Sequence, residues 1–460
     1  MTRRSSSNRL GRGLFRLLAS VVVLGVLAWL ATLVIGGTRA VAATALTPSA
    51  ALIKQGEYVA QLGDCAACHT AKGGKPFAGG LAIVAPIGTI YSSNITPDAG
   101  HGIGGYSYAQ FERAVRQGVK RNGDTLYPAM PYPSYARISD QDMQALYAYF
   151  MRGVAPVAQA TPGNDIRWPL SLRWPLTYWR WLFAPRVGTD PVAAQTHDPL
   201  LARGAYLVDG LGHCSACHTP RAPTLQERAT SDRQGSLFLS GGIADNWLAP
   251  SLRGEMQSGL GRVSESELTA FLKSGRTQSL AAFGGMSDVV THSTRYMTDA
   301  DLQAVARYLK SLSPHTEQSA LSYDSATRHS LYGGDLAQTG ARLYVDNCAT
   351  CHRTDGHGYG LTFPALAGNP VVNGAAPDSL IRLVLRGSTM PVGRDAPTQF
   401  SMPAFDNRLS DQEVAEVLSF VRAGWGNQGA AVTAAQVQAV RAALPTAQTA
   451  TMTDYDPRNH

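Results

Sequence analysis

Cysteine is scarce. Six residues in a chain of 460 are too few to staple it as a disulfide scaffold. Acidic side chains are missing from the start of the chain, where the first is Glu57. Only one long apolar run exists, at residues 17–36, so a polytopic membrane protein is excluded. Neither a nucleotide-binding fingerprint nor a nucleophile–base constellation can be placed. Hydrophobic content of 44% excludes wholesale disorder. The formal charge of +7 is a local effect. Arg3, Arg4, Arg9, Arg12, Arg16 and Arg39 lie before residue 40, leaving 34 basic against 33 acidic residues beyond it. No body-wide basic face for nucleic acid remains.

The apolar run LLASVVVLGVLAWLATLVIG carries no charge, and five arginines precede it. Twenty residues are enough to cross a hydrocarbon core as a helix. The arginines place residues 1–16 on the cytoplasmic side, and the rest outside. A cleaved signal peptide is the competing reading, because Ala40-Val41-Ala42 offers small-x-small spacing. Under both readings residues 1–42 deliver the body to the periplasmic face of a bacterial inner membrane.

The six cysteines form three pairs, Cys65/Cys68, Cys214/Cys217 and Cys348/Cys351, each followed at once by a histidine. Around them the chain repeats. GEYVAQLGDCAACH, GAYLVDGLGHCSACH and GARLYVDNCATCH open the repeats, and ISDQDMQALYAYF, MTDADLQAVARYL and LSDQEVAEVLSFV close them. Ser139/Asp142, Thr298/Asp301 and Ser410/Glu413 have capping-box spacing. The middle helices FERAVRQG, LTAFLKSG and LIRLVLRG each end in glycine. The expected fold is all-α: three tandem homologous domains at 48–155, 197–314 and 334–426. Linkers at 156–196 and 315–333 join them, and 427–460 is a tail.

Cys-x-x-Cys-His is the attachment motif of c-type haem. Two thiols can form thioethers to the vinyl groups of one porphyrin while the histidine coordinates iron. Zinc would need two such pairs close together, but here they are 149 and 134 residues apart. Three covalent haem c groups follow, with His69, His218 and His352 as proximal ligands. Each repeat also offers one methionine between its middle and closing helices. Met130, Met286 and Met402 follow the helix-ending glycine by 12, 11 and 15 residues. Methionine opposite histidine closes the iron and favours electron transfer. Met390 follows its glycine by only three residues and breaks the spacing. His292 and His101 are fallback ligands, and the Pro364 carbonyl is a candidate to orient the His352 ring.

From about residue 48 onward the chain resembles the triheme cytochrome c subunits of membrane-bound bacterial dehydrogenases, such as quinoprotein alcohol dehydrogenase and gluconate 2-dehydrogenase. SSNITPD, GIGGYS, LYPAMPYPSY, WPLSLRWPL, LAPSLRGEMQSGLGR, FPALAGNP and FSMPAF carry the resemblance. It implies three class I cytochrome c-like domains in a subunit without a catalytic site. A separate dehydrogenase subunit of quinoprotein, flavoprotein or molybdenum type would oxidise an alcohol, sugar acid, polyol or aldehyde. Electrons would reach ubiquinone or another respiratory acceptor. It also implies the ligand pairs His69/Met130, His218/Met286 and His352/Met402. Some members hold the membrane through C-terminal amphipathic segments, whereas residues 427–460 here show no strong apolar stripe. A multihaem peroxidase and a free-standing periplasmic donor to an oxidase are the alternative functions.

Residues 166–184, IRWPLSLRWPLTYWRWLFA, hold four of the seven tryptophans with three arginines. That pairing suits a membrane surface or protein interface, the alternative being a linker packed across the first two repeats. The sequence predicts a mature chain heavier than its amino acids, with a sharp reduced α-band. Intact-mass spectrometry and a visible spectrum check both.

Overall fold

The computed structural model describes residues 6–37, 48–188 and 196–444, so the Ala40-Val41-Ala42 cleavage signal and residues 445–460 lie outside it. The apolar run forms α1 (Ser6–Ile35). Its Gly13–Ile35 stretch has mean hydropathy 2.6, and 23 residues at 1.5 Å rise span about 34 Å.

The first repeat supplies α2 (Ala50–Leu62), α3 (Cys65–His69), α4 (Tyr108–Gln117), α5 (Tyr132–Tyr135) and α6 (Asp140–Arg152). The tryptophan-rich segment forms α7 (Pro175–Phe183). The second repeat has α8 (Pro199–Ala205), α9 (Ser215–His218), α10 (Glu265–Ser274), α11 (Gly285–His292) and α12 (Asp299–Ser311). After α13 (Ala326–Tyr332), the third repeat gives α14 (Thr339–Asn347), α15 (Ala349–His352), α16 (Asp378–Arg386) and α17 (Asp411–Ala423). Finally α18 (Ala434–Ala443) packs on α16 and α17 through the buried Val437, with Arg441 bound to Asp411. Much of the supposed tail is therefore part of the third repeat.

The opening and closing helices of each repeat pack together: α2 on α6, α8 on α12, α14 on α17. The repeated glycine sits at each crossing. A Cβ on Gly56 would strike the Ala145 carbonyl, on Gly204 the Ala304 carbonyl, and on Gly340 the Glu416 carbonyl. Backbone contact this close excludes any side chain. Glycine-to-cysteine spacing differs between repeats: nine residues in the first, ten in the second and eight in the third. The second accommodates its extra length in a π-helical stretch, Tyr206–Leu211, that continues α8.

The all-α expectation needs correction. Helices carry the framework, but the connections between them form small antiparallel ladders. β1 (Ala82–Ala85), β2 (Gly88–Tyr91) and β3 (Asp165–Ile166) make one, β4 (Gly242–Ala244) with β5 (Trp247–Ala249) a second, and β6 (Ser388–Thr389) with β7 (Ser401–Met402) a third. Strands of two to four residues are too short to leave a period in the sequence. Asp245 and Asn246 turn the β4–β5 hairpin with positive φ of 49° and 61°, as a two-residue primed turn requires.

One continuous apolar core spans the first two repeats, from Val59 and Phe150 to Leu207 and Leu309. A separate core, around Tyr344, Leu418 and Trp425, serves the third. The first two repeats also exchange caps. Ser139, Thr298 and Ser410 all accept from the amide three residues on, at 3.1, 3.2 and 3.3 Å. Only Ser410 closes a full capping box, its amide donating to Glu413 at 2.8 Å. In the other two repeats a tyrosine of the neighbouring repeat enters the box. Tyr58 accepts from the Thr298 amide at 3.0 Å and donates to Asp301 at 2.7 Å. Tyr206 accepts from the Ser139 amide at 3.2 Å and donates to Asp142 at 2.6 Å. The two tyrosines occupy matching sequence positions, so the clamp is reciprocal.

The close crossing predicts that Gly204→Ala costs roughly 1–3 kcal/mol by overpacking, read from thermal unfolding. The clamp predicts that Tyr58→Phe and Tyr206→Phe each cost about 1–2 kcal/mol, by losing a hydrogen bond to a carboxylate. Burial pushes the Asp301 carboxyl up, but bonds from Arg203 and Tyr58 outweigh it and leave the pKa below the usual 3.8. Its share of stability is therefore full above that value and fades as pH falls through the lowered one. Acid titrations of wild type and Tyr58→Phe check this.

Candidate functional site

Each Cys-x-x-Cys-His forms about one helical turn: α3, α9 begun by Cys214, and α15 begun by Cys348. Helical spacing at i, i+3 and i+4 turns both thiols and the imidazole to one face. Asp64, with left-handed φ 51° and ψ 32°, breaks the chain between α2 and α3. No disulfide joins any of the six cysteines. Burial is the chief cause pushing Cys65, Cys68, Cys214 and Cys348 up to about 12, and Cys217 to about 11. Cys217 keeps surface open to the cavity, yet protein encloses its other sides. Thiols held in this protonated state are poor redox nucleophiles. Among the described residues no three His, Cys, Asp or Glu side chains converge to hold a metal ion. The zinc reading finds no donor set.

The three imidazoles share one arrangement. His69 Nδ1 lies 2.7 Å from the Ser93 carbonyl, His218 Nδ1 2.8 Å from that of Pro250, and His352 Nδ1 2.9 Å from that of Pro364. A carbonyl only accepts, so Nδ1 carries the proton and Nε2 keeps its lone pair. Burial lowers the pKa of each ring, and the carbonyl bond opposes it. Neutral rings with a fixed tautomer are ready to ligate. The role expected for Pro364 is in place. Its counterparts Ser93 and Pro250 escaped the sequence reading, although both lie in the quoted strings SSNITPD and LAPSLRG.

A single continuous cavity of about 1810 Å³ reaches all three motifs, and its lining is chiefly apolar. Met130, Met286 and Met402 all line it. Their local structures differ: Met130 lies in the turn before α5, Met286 in the first turn of α11, and Met402 in β7. Met390 also reaches the cavity, on the chain leading out of β6. His101 lines it but lies against Asp98 at 3.3 Å, while His292 is not among the lining residues. The first two sites adjoin each other, because α11, which carries Met286, packs on α3. The third joins through β5, where the Leu248 amide donates to Ser379 at 2.8 Å. Paired thiols on the wall of an apolar cavity, each pair with a ligating nitrogen, fit covalently held haem.

The tryptophan-rich segment divides by face. Inward, Trp179 donates to the Thr224 carbonyl at 2.8 Å, and the Arg173 guanidinium lies 4.0 Å from the Tyr127 ring centre. Tyr178 donates to the Ala28 carbonyl at 2.7 Å, and Arg180 to that of Gly36 at 2.8 Å, so α7 lies along α1. Outward, Trp168 is 79% and Trp181 59% exposed.

The cytochrome c family profile matches residues 53–153 and 337–425. The chain is 56% identical over 396 residues to the gluconate 2-dehydrogenase cytochrome c subunit of Pantoea cypripedii, covering 85% of this chain and 90% of that one. It is 51% identical over 403 residues to the quinone alcohol dehydrogenase cytochrome c subunit of Gluconobacter oxydans, covering 87% and 84%. The fructose dehydrogenase cytochrome subunit of Gluconobacter japonicus is 38% identical over 430 residues, covering 88% and 85%. Cytochrome c domains carry covalent haem c, and at this identity and coverage the chain belongs to the family of dehydrogenase cytochrome c subunits.

Proposed function

We propose that this chain is the triheme electron-transfer subunit of a membrane-bound dehydrogenase, with one haem c in each of three domains at 48–155, 197–314 and 334–426, the last extended by α18. Bound haem supplies one-electron exchange at iron. Cys65/Cys68, Cys214/Cys217 and Cys348/Cys351 hold it through thioethers. His69, His218 and His352 would each supply one iron ligand through Nε2, and Met130, Met286 and Met402 the second. With both ligand positions taken by protein, none would be left for substrate, so the chemistry would belong to a partner dehydrogenase subunit. Electrons enter from that subunit and leave to ubiquinone or another respiratory acceptor. The observation that carries this reading is the threefold recurrence of one arrangement: an imidazole oriented by a carbonyl, on a cavity that a methionine of the same repeat also lines.

The body lies on the periplasmic face. Tyr178 reaches Ala28, seven residues below the end of α1, or about 10 Å along the helix. At that depth α7 stands beside the outer part of the span, and Trp168 and Trp181 meet the interface where tryptophan concentrates.

Single replacement of Met130, Met286 or Met402 by alanine converts one haem of three to high spin, seen by electron paramagnetic resonance and in the visible spectrum. A wild-type protein that already contains high-spin haem overturns the electron-transfer reading in favour of a peroxidase. Conversion by Met390→Ala and not by Met402→Ala overturns the third ligand assignment.

A further inference from the structure

Two cationic side chains near enough to feel each other's charge line the cavity, and the function proposed above leaves them without a task. Arg173 comes from the linker just before α7, and its guanidinium lies over Tyr127, 4.0 Å from the ring centre. Tyr127 is three residues before Met130, whose amide donates to the Tyr127 carbonyl at 3.2 Å. The Tyr127 hydroxyl donates back to the linker at the Leu170 carbonyl, at 3.1 Å. The ring and the linker therefore hold each other, and the guanidinium is carried to the first site. Its Nη1 is buried with no hydrogen-bond partner.

Lys120, from the turn after α4, lines the same cavity. Burial is the chief cause lowering its pKa, the nearby positive charge of Arg173 adds to it, and the Asp124 carboxylate only partly opposes them. Among the described residues no ion pair engages either side chain. The Asp124 carboxylate, the acid closest in sequence, accepts from Asn122 at 2.8 Å. Like charges drawn together and partly desolvated raise the energy of the folded chain unless an anion joins them. A buried guanidinium donor such as Arg173 Nη1 suits a carboxylate oxygen.

We infer that Arg173 and Lys120 form the binding site for the propionate carboxylates of the first haem. The inference rests on haem occupying the first motif. Haem is the group proposed there, and its propionates are the carboxylates it brings to a cavity whose lining is otherwise mainly apolar. Arg173 is thus a positioning residue that connects the first haem to the segment lying along α1. The two cations also oppose the extra positive charge of ferric iron, so they hold that haem at a higher potential.

The test is a spectroelectrochemical titration of the full chain in detergent, with wild type, Arg173→Gln, Arg173→Lys and Lys120→Gln. Haem content is measured by pyridine haemochrome, and attachment by peptide mass. The potential of the first haem is identified as the one altered by Met130→Ala. Arg173→Gln and Lys120→Gln each move it downward and leave the other two in place, while Arg173→Lys restores most of the shift. Lys120 stands outside α7, so agreement between the two variants separates charge loss from a displaced linker. Full haem content with all three potentials unchanged overturns the inference. Unchanged potentials with loss of binding to phosphatidylglycerol vesicles overturn it too, and assign the pair to lipid phosphate. A wild-type first motif without attached haem instead overturns the function proposed above.

Discussion

One hydrogen bond, from imidazole Nδ1 to a backbone carbonyl, underlies the three sites. It fixes the tautomer, turns the ring, and leaves Nε2 facing the cavity. Most of the surrounding chain serves to bring that carbonyl into place. In the first repeat Asn94, next to Ser93, donates to the Val157 and Gln159 carbonyls and accepts from Thr96. In the second, Ser251 follows Pro250 and donates to Glu255 at 2.7 Å. In the third, Asn369 donates to the carbonyls of Ala365 and Ser279, tying the loop after Pro364 to the second repeat. Strings that look like family signatures in the sequence are therefore loop anchors, each holding one acceptor under one ring.

The repeats are alike in their sites and unlike in how they dock. Tyr58 and Tyr206 give the first two a reciprocal contact. Where they stand, the third repeat has the exposed Arg342, and its Ser410/Glu413 box closes on itself. Arg441 of α18 packs against the start of α17 instead, bonding Asp411 and the Leu409 carbonyl. The third repeat meets the second through other parts: Ser379 on Leu248, and the Arg382 guanidinium 4.3 Å from the Trp247 ring centre. Aspartate at Asp142 and Asp301, against glutamate at Glu413, goes with the difference. In the first two repeats the shorter carboxylate binds a neighbour's hydroxyl, whereas the longer one reaches back to its own cap.

Sequence reading was strongest where a rule of spacing applied. The motif turns, the capping residues and the Pro364 carbonyl stand where spacing put them, and the three methionines all line the cavity. It could not foresee that those methionines would sit on a turn, a helix and a strand, because spacing limits reach and not conformation. Ladders two to four residues long left no periodic trace. Val437 in α18 escaped because one buried residue makes no stripe, and its packing partners are remote in the chain. Ser93 and Pro250 escaped because an acceptor carbonyl belongs to the backbone and bears no residue signature. Arg173 read as part of an interface segment, since only the fold brings it to Tyr127.

The shared core of the first two repeats has a mechanical consequence. A continuous apolar interior, closed by two phenol clamps, leaves no hinge between them. Under the proposed function, haems held by these two repeats cannot swing like a tethered shuttle between donor and acceptor. The gap an electron must tunnel is set once, when the polypeptide folds, and solvent viscosity has no hold on it afterwards.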